Sequence, residues 1–248
     1  MRRPRVLSES GPVTPSLHRR AITYVQERGF LDFVRMVFHT YVFSRSLLYI
    51  YVCSHTVSTE GDPHPSVANF EAAFVSSNEE ADGLAKTHED FRLLDRTASK
   101  GLDCGAVALC LYSGNKLTNV SWLATTEVAR RAIGYAGYAV DPEIHGAWTG
   151  RVRIQPSYEG KGLFRYACMK RFEYLLSLGI EKSCVAVART NTHSHVMAAS
   201  LGCRIVGKGH LVRLLWWQWW RSDQLTRADE KAVRPMVADA LASRPGQP

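Results

Sequence analysis

The chain has 248 residues, 46% hydrophobic and 22% charged, a balance that excludes a disordered or fibrous protein and suffices for one large domain or a domain with an extension. With 31 Lys and Arg against 23 Asp and Glu it carries +8, which favours anionic partners without choosing among nucleic acid, an anionic membrane surface and a phosphorylated cosubstrate. No stretch reaches the ~18–20 continuous apolar residues of a spanning helix, and no apolar segment follows the basic start MRRPR as a signal peptide would require, so the expected compartment is the cytoplasm.

From Leu17 to Phe43, apolar residues recur near helical spacing (Ile22, Val25, Phe30, Phe33, Val34, Val37, Phe38, Tyr41) with Arg19, Arg20, Arg28 and Arg35 among them, which predicts a basic amphipathic helix interrupted near Gly29. LLYIYVCS then reads as a short strand, and HTVSTEGDPHPS as a loop. Helical fragments are expected between Asn69 and Ser99, with a polar gap at SSNEEADG and Gly101 as a helix stop.

Two strands flanking Ser113-Gly114-Asn115-Lys116 form a predicted hairpin, and a third strand runs from about Gly146 to Gln155. Helical periodicity follows from Leu163 to Leu178 (Phe164, Ala167, Cys168, Phe172, Leu175, Leu176), with Gly179 as its stop. SCVAVA reads as a buried strand, THSHVMAASLG as a short helix, and CRIVGKGHLVRLLWWQWW as one or two strands, before a tail with a further helix from about Ala228. The expected organisation is a mixed α/β sheet flanked by helices: an N-terminal helical extension with the first strand over 1–60, the main domain over 61–220 and a C-terminal helix and tail over 221–248.

Six cysteines without a Cys-x-x-Cys pair, and nine histidines without His-Glu-x-x-His, indicate neither a metal site nor a disulfide framework, and the cysteines are expected as reduced, mostly buried thiols. The chemistry-bearing stretch is VRIQPSYEGKGLF, where a strand meets a helix through Gly160-Lys161-Gly162. The first N–H groups of a helix lack internal partners and carry the positive end of the helix dipole, so glycines that let a ligand approach them suit a phosphate. A plain strand-to-helix turn is the alternative.

A second segment, NTHSHVMAASLGC, lies about 30 residues beyond the first glycine pair. Together the two segments, from roughly Gly101 to Trp220, resemble the GNAT superfamily of acyl-CoA-dependent N-acyltransferases. Gly160 and Gly162 stand in that family's glycine positions with Leu163 after them, and Asn191, Ser194, Met197 and Gly202 are in register with its second segment. The resemblance implies a GNAT-like fold and transfer of an acetyl or longer acyl group from acyl-CoA to a primary amine, with no metal. The amides of Glu159, Gly160, Lys161, Gly162 and Leu163 would hold the CoA pyrophosphate, the strand edge at Val152, Arg153 and Ile154 would pair with the pantetheine amides, and Asn191 would join the binding set.

Three positions depart from the family pattern. Ser157 replaces an Arg or Gln, Ala198 replaces the tyrosine that serves the leaving thiolate, and Cys203 replaces an aromatic residue. A catalytically silent acyl-CoA-binding module is therefore the alternative function. Amine deprotonation needs a base, for which Glu127, Glu143 and His145 are the candidates, with His193 and His195 as groups near the second segment. Nucleic-acid binding lacks any recognition signature beyond charge. The N-terminal apolar face and LLWWQWW read first as surfaces that pack on the domain core or a neighbouring element; the secondary reading, from their arginines and aromatics, is peripheral contact with an anionic membrane and a lipid-like amine acceptor.

Overall fold

The computed structural model describes residues 29–38, 42–55, 65–95, 97–133, 146–215, 217–227 and 229. They fall into two compact units, the residues up to Ser44 with Arg213–Trp217, and Arg45–Val212 with the residues from Gln218 onward. Helix α1 (Phe30–Val37) and strand β1 (Phe43–Ser54) come first, followed by β2 (Phe70–Val75), α2 (Asn78–Leu84), α3 (Ala98–Asp103), β3 (Val107–Ser113), β4 (Lys116–Ala124) and α4 (Glu127–Ala132). Then come β5 (Ala147–Ile154), α5 (Leu163–Ser177), β6 (Lys182–Ala188), α6 (Thr192–Ser200), β7 (Arg204–Leu214) and β8 (Trp217–Asp223).

The eight strands form one mixed sheet in the order β2-β3-β4-β5-β6-β1-β7-β8. Strands β2 to β5 are an antiparallel meander, β5 and β6 are parallel with α5 as their crossover, and β1 lies antiparallel to β6 from Leu48↔Ala188 to Ser54↔Lys182. Alternation along the strands gives the sheet two apolar faces. On one face Ile50, Phe91, Leu102, Trp122, Ile133 and Trp148 pack with α2, α3 and α4. On the other, Leu109, Leu111 and Leu123 pack under Leu163, Ala167 and Leu175 of α5, while Tyr49, Tyr51 and Val187 pack under Ala198 of α6.

The hairpin at Ser113–Lys116, the strands β5 and β6, and the helices α5 and α6 fall where the sequence places them. Four expectations need correction. Phe70–Val75, expected as helix, is an edge strand paired with β3 along its whole length. The polar gap at SSNEEADG is itself helical, because Ser77 accepts from the Glu80 amide (3.1 Å) and Glu80 accepts in return from the Ser76 amide (2.7 Å), a reciprocal cap that compensates for the absence of an apolar stripe. Gly101 lies inside α3, where a Cβ would sit 2.5 Å from Ile133 Cγ2; it is a close-packing glycine and not a stop. Phe43 opens a 12-residue β1 and does not close a helix. Residues 17–28 of the N-terminal segment and the tail from 230 lie outside the described residues.

The cysteine expectation is half right. Cys110, Cys168 and Cys184 are buried free thiols, but Cys53 at the end of β1 and Cys203 just before β7 form a disulfide. The two lie 150 residues apart in sequence, and no local spacing could have paired them.

Candidate active site

The site starts from an irregularity in β5. Opposite β4, Val120 pairs with Arg153 and Trp122 with Gly150, so β5 carries one residue more than its partner, and Arg151 takes a left-handed conformation (φ 47°). Such a bulge bends a strand and twists it away from its neighbour. Arg151 is held there by Asp95, 2.9 Å from Nη2, by Thr97 Oγ1 at 2.6 Å and by the Ile133 carbonyl. On the other side, the β5–β6 ladder ends at Trp148↔Cys184, although β6 continues beside β1 as far as Ala188. Beyond that pair Thr149–Ile154 has no ladder partner on β6 among the described residues, although the Thr149 hydroxyl still reaches the Cys184 carbonyl (3.5 Å), and the two strands part like a V.

The gap opens into a cavity of about 180 Å³. Its walls are Thr149–Val152 of β5, Val185–Val187 of β6, one face of α5 (Phe164, Cys168, Arg171, Phe172), part of α6 (Asn191, Ser194, Met197, Ala198) and the Cys53–Cys203 disulfide. The α5 residues lie at i, i+4, i+7 and i+8, a single helical stripe.

The other end of β5 leads through a 3-10 turn (Pro156–Tyr158) to α5. Gly160 (φ 75°) and Gly162 (φ 81°) are both left-handed, and Gly162 is the N-cap of α5 without a side-chain cap. A Cβ at Gly160 would meet nothing within 4 Å, and one at Gly162 only Pro65 Cα at 3.7 Å, so the turn presents its backbone openly. The amides of Gly160, Lys161, Gly162 and Leu163 donate to nothing among the described residues, whereas that of Glu159 is taken by the Pro156 carbonyl (3.3 Å). The first turn of α5 has no acidic residue, Lys161 Nζ lies 4.8 Å over the Tyr158 ring, and the Lys161 carbonyl accepts from Ser66 (3.1 Å).

The sequence-derived site residues divide accordingly. Gly160, Lys161, Gly162 and Leu163 form the open turn, and Val152 reaches the cavity wall. Arg153 and Ile154 continue the same strand, the Arg153 guanidinium donating to the Leu94 carbonyl at 2.5 Å. Asn191 lines the cavity and caps α6, its Oδ1 accepting from the Ser194 amide at 3.1 Å.

Glu127 is not placed with them. Its carboxylate is held by Arg130 (2.5 Å) and Arg131 (2.7 Å), and the Arg130 hydrogen bond holds it below the usual carboxylate range, which suits a helix start and not an amine base. Glu143 and His145 lie outside the described residues. His193 is exposed. His195 is fully buried: its Nε2–H donates to the Ala188 carbonyl (3.1 Å), its Nδ1 accepts from the Tyr51 hydroxyl (2.8 Å), and burial holds its pKa below the ordinary histidine value. His55 is buried in a similar way, donating to the Ile180 carbonyl (2.9 Å), accepting from Ser183 (2.8 Å) and stacking on Phe172. Among the described residues the cavity wall carries no Asp, Glu or His.

Two features of the site escaped the sequence reading. The bulge has no residue signature, since it consists of an arginine in a conformation usually left to glycine. Arg171 had one, a charge at the i+7 position of an otherwise apolar stripe.

No protein-family model and no curated protein matches the chain. Similar solved structures include a tandem GNAT protein from the clavulanic acid biosynthesis pathway (14% identity, TM-score 0.48, covering 88% of this chain and 62% of that one). A functionally unknown conserved protein from Staphylococcus epidermidis is also similar (12%, 0.46, 74% and 67%), as is a GCN5-related N-acetyltransferase-like protein from Streptococcus suis (14%, 0.43, 79% and 69%). At these identities and TM-scores the functional reading rests on the residues of this chain.

Proposed function

We propose that the chain is an acyl-CoA-dependent N-acyltransferase that moves an acyl group to a primary amine. The observation that carries this reading is the pairing of an open, uncapped glycine turn with a parted strand pair on one continuous segment, β5–turn–α5. The turn fits an anion: four unengaged amides, the positive end of a 15-residue helix and Lys161 converge there. The parted strand fits a chain of amides, because the edge of Val152, Arg153 and Ile154 offers donors and acceptors in ladder spacing. A pyrophosphate on Gly160–Leu163 and a pantetheine arm along that edge would bring a thioester to the bulge and the cavity behind it.

In this reading Asn191 fixes the start of α6 against the cavity, and the amides freed by the bulge stabilise the oxyanion that forms when an amine attacks a thioester carbonyl. The thiolate is a good leaving group, so Ala198, which lines the cavity without a hydroxyl, leaves its protonation to water or another group. Glu143 and His145 remain the proposed bases for the amine. The alternative, a silent acyl-CoA-binding module, predicts binding without turnover. Calorimetric titration with CoA and acetyl-CoA, paired with thiol release over a panel of amines, separates the two, and absence of CoA binding at millimolar concentration refutes both.

Peripheral membrane contact is a finer reading supported by the smaller unit, in which Phe30, Leu31, Val34, Phe38, Leu214, Leu215 and Trp217 are exposed. No helix among the described residues is long and apolar enough to cross a membrane. Sedimentation with anionic and neutral vesicles, using the wild type and a variant with Arg19, Arg20, Arg28 and Arg35 changed to Gln, tests it. Equal partitioning of the wild type to both vesicle types at low salt rejects it.

A further inference from the structure

Arg171 is 3% exposed, yet it has no acidic partner among the described residues. Its Nε donates to the Ala167 carbonyl (3.2 Å) and its Nη2 to Cys168 Sγ (3.1 Å), while Nη1 is buried without any partner. Both contacts lie within its own helix turn and neither neutralises the charge. An uncompensated buried guanidinium costs several kcal/mol, a penalty that packing alone does not explain on a helix whose neighbouring inward positions are Phe164, Cys168, Phe172 and Leu175.

The surroundings indicate what would offset that charge. Arg171 lines the cavity behind the parted strands, where the remaining wall is largely apolar: Trp148, Phe164, Val185, Val187 and Leu201. The volume corresponds to about six water molecules at liquid density, room for a short carbon chain with a polar end. A planar guanidinium whose buried Nη1 has no partner, on a side chain that lines such a space, matches a carboxylate, which accepts two parallel N–H bonds. Along α5, Arg171 lies nine residues after the Gly162 cap, about 13 Å at the helical rise, so it sits well beyond any anion held at the glycine turn and serves a different group.

We propose that this cavity is a carboxylate site, with Arg171 as its anchor, for the group that takes part in transfer. The favoured source is the far end of the acyl chain, a dicarboxylic monothioester, because the cavity opens from the β5 edge along which the thioester arm would lie. That assignment rests on the acyltransferase reading. The other source of the same chemistry is the carboxylate of an amino-acid acceptor. Either way Arg171 selects the substrate by charge, and a neutral chain of equal length leaves its guanidinium unpaired.

The test compares matched pairs by calorimetry on the full chain. The acyl arm uses succinyl-CoA against butyryl-CoA; the acceptor arm uses alanine against alaninamide with acetyl-CoA bound. The wild type is expected to prefer the carboxylate member of one pair at least tenfold. Arg171→Met is expected to lose that preference while binding unsubstituted CoA as before, and Arg171→Lys to retain part of it. Replacement of a buried charge by an apolar side chain of similar length is compatible with folding, and should Arg171→Met fail to fold, the wild-type ratios alone decide. Equal affinities within both pairs overturn the carboxylate site and leave the acyltransferase reading intact. Failure of CoA itself to bind overturns that reading, and the site then stands or falls on butyrate against butyramide titrated into the free protein.

Discussion

Cutting the Cys53–Cys203 bond tests the packing of the larger unit most directly. The bond closes a loop of 150 residues, and the chain-entropy relation for a loop of that length gives about 5 kcal/mol of stabilisation at 25 °C, at the top of the range of about 2–5 kcal/mol found for native disulfides. Because the two cysteines also wall the cavity beside Ala198 and Val187, the loss should appear in ligand binding as well as in unfolding. The assay is urea or thermal unfolding of the wild type with and without reductant, with Cys53→Ala/Cys203→Ala as control. Reduction should lower the midpoint temperature by on the order of 10 °C, and the double variant should show the lowered value under both conditions. Alkylation in denaturant without reductant should modify four cysteines, those at 104, 110, 168 and 184. Modification of all six, or identical unfolding with and without reductant, would refute the bond and the packing argument built on it.

Other perturbations have expected outcomes of their own. Gly160→Val places a β-branched side chain at φ 75° in the open face of the turn, so CoA affinity should fall at least tenfold, about 1.4 kcal/mol; unchanged affinity in a folded variant would remove the turn from the binding site. Gly101→Val drives a side chain into Ile133 and should cost about 1–3 kcal/mol in chemical unfolding, and a neutral result would contradict the close packing of α3. Trp122→Ala empties the centre of the opposite core and should cost about 3–5 kcal/mol; a loss below 1 kcal/mol would show that this core is not what holds the sheet. Burial lowers the pKa of His55 and of His195, so both stay neutral in the folded chain while the unfolded chain protonates them below about 6.5. Their stabilisation is complete above that pH and declines as pH falls toward the folded values. Unfolding free energy should therefore drop between pH 7 and 5.5, less so in His195→Phe, and a flat profile would contradict the neutral burial.

What the sequence revealed and what it concealed follow from the range of the forces involved. The glycine turn, the hairpin and the helices α5 and α6 were legible because their signals are local: Gly160 and Gly162, Gly114-Asn115, and the periodic Phe164, Cys168 and Phe172. β2 is not legible as a strand, because FEAAFV has no alternation and only its pairing with β3 makes it one. The cap at Ser77 and Glu80 was present in the sequence, but it was outweighed by the polarity of the segment around it. The parted strands and the disulfide depend on contacts between segments far apart in the chain, which periodicity does not register, whereas Arg171 stands out locally as a charge in an apolar helical stripe.

The position of β1 shapes how the chain can be made. Strand Phe43–Ser54 lies between β6 and β7, both of which follow it in sequence by well over a hundred residues. A ribosome adding roughly 5–20 residues per second needs about 6–26 s to deliver β6 after β1 has left the tunnel. Throughout that interval LLYIYV, an apolar and strongly β-forming run, has neither of its neighbours and offers both edges to any other nascent chain. The meander β2–β5 can assemble meanwhile, so synthesis should pass through a half-built sheet with a sticky leading segment. Yield of native protein should thus depend on how well that segment is shielded, by a chaperone or by slow expression at low temperature, more than on the final stability of the fold.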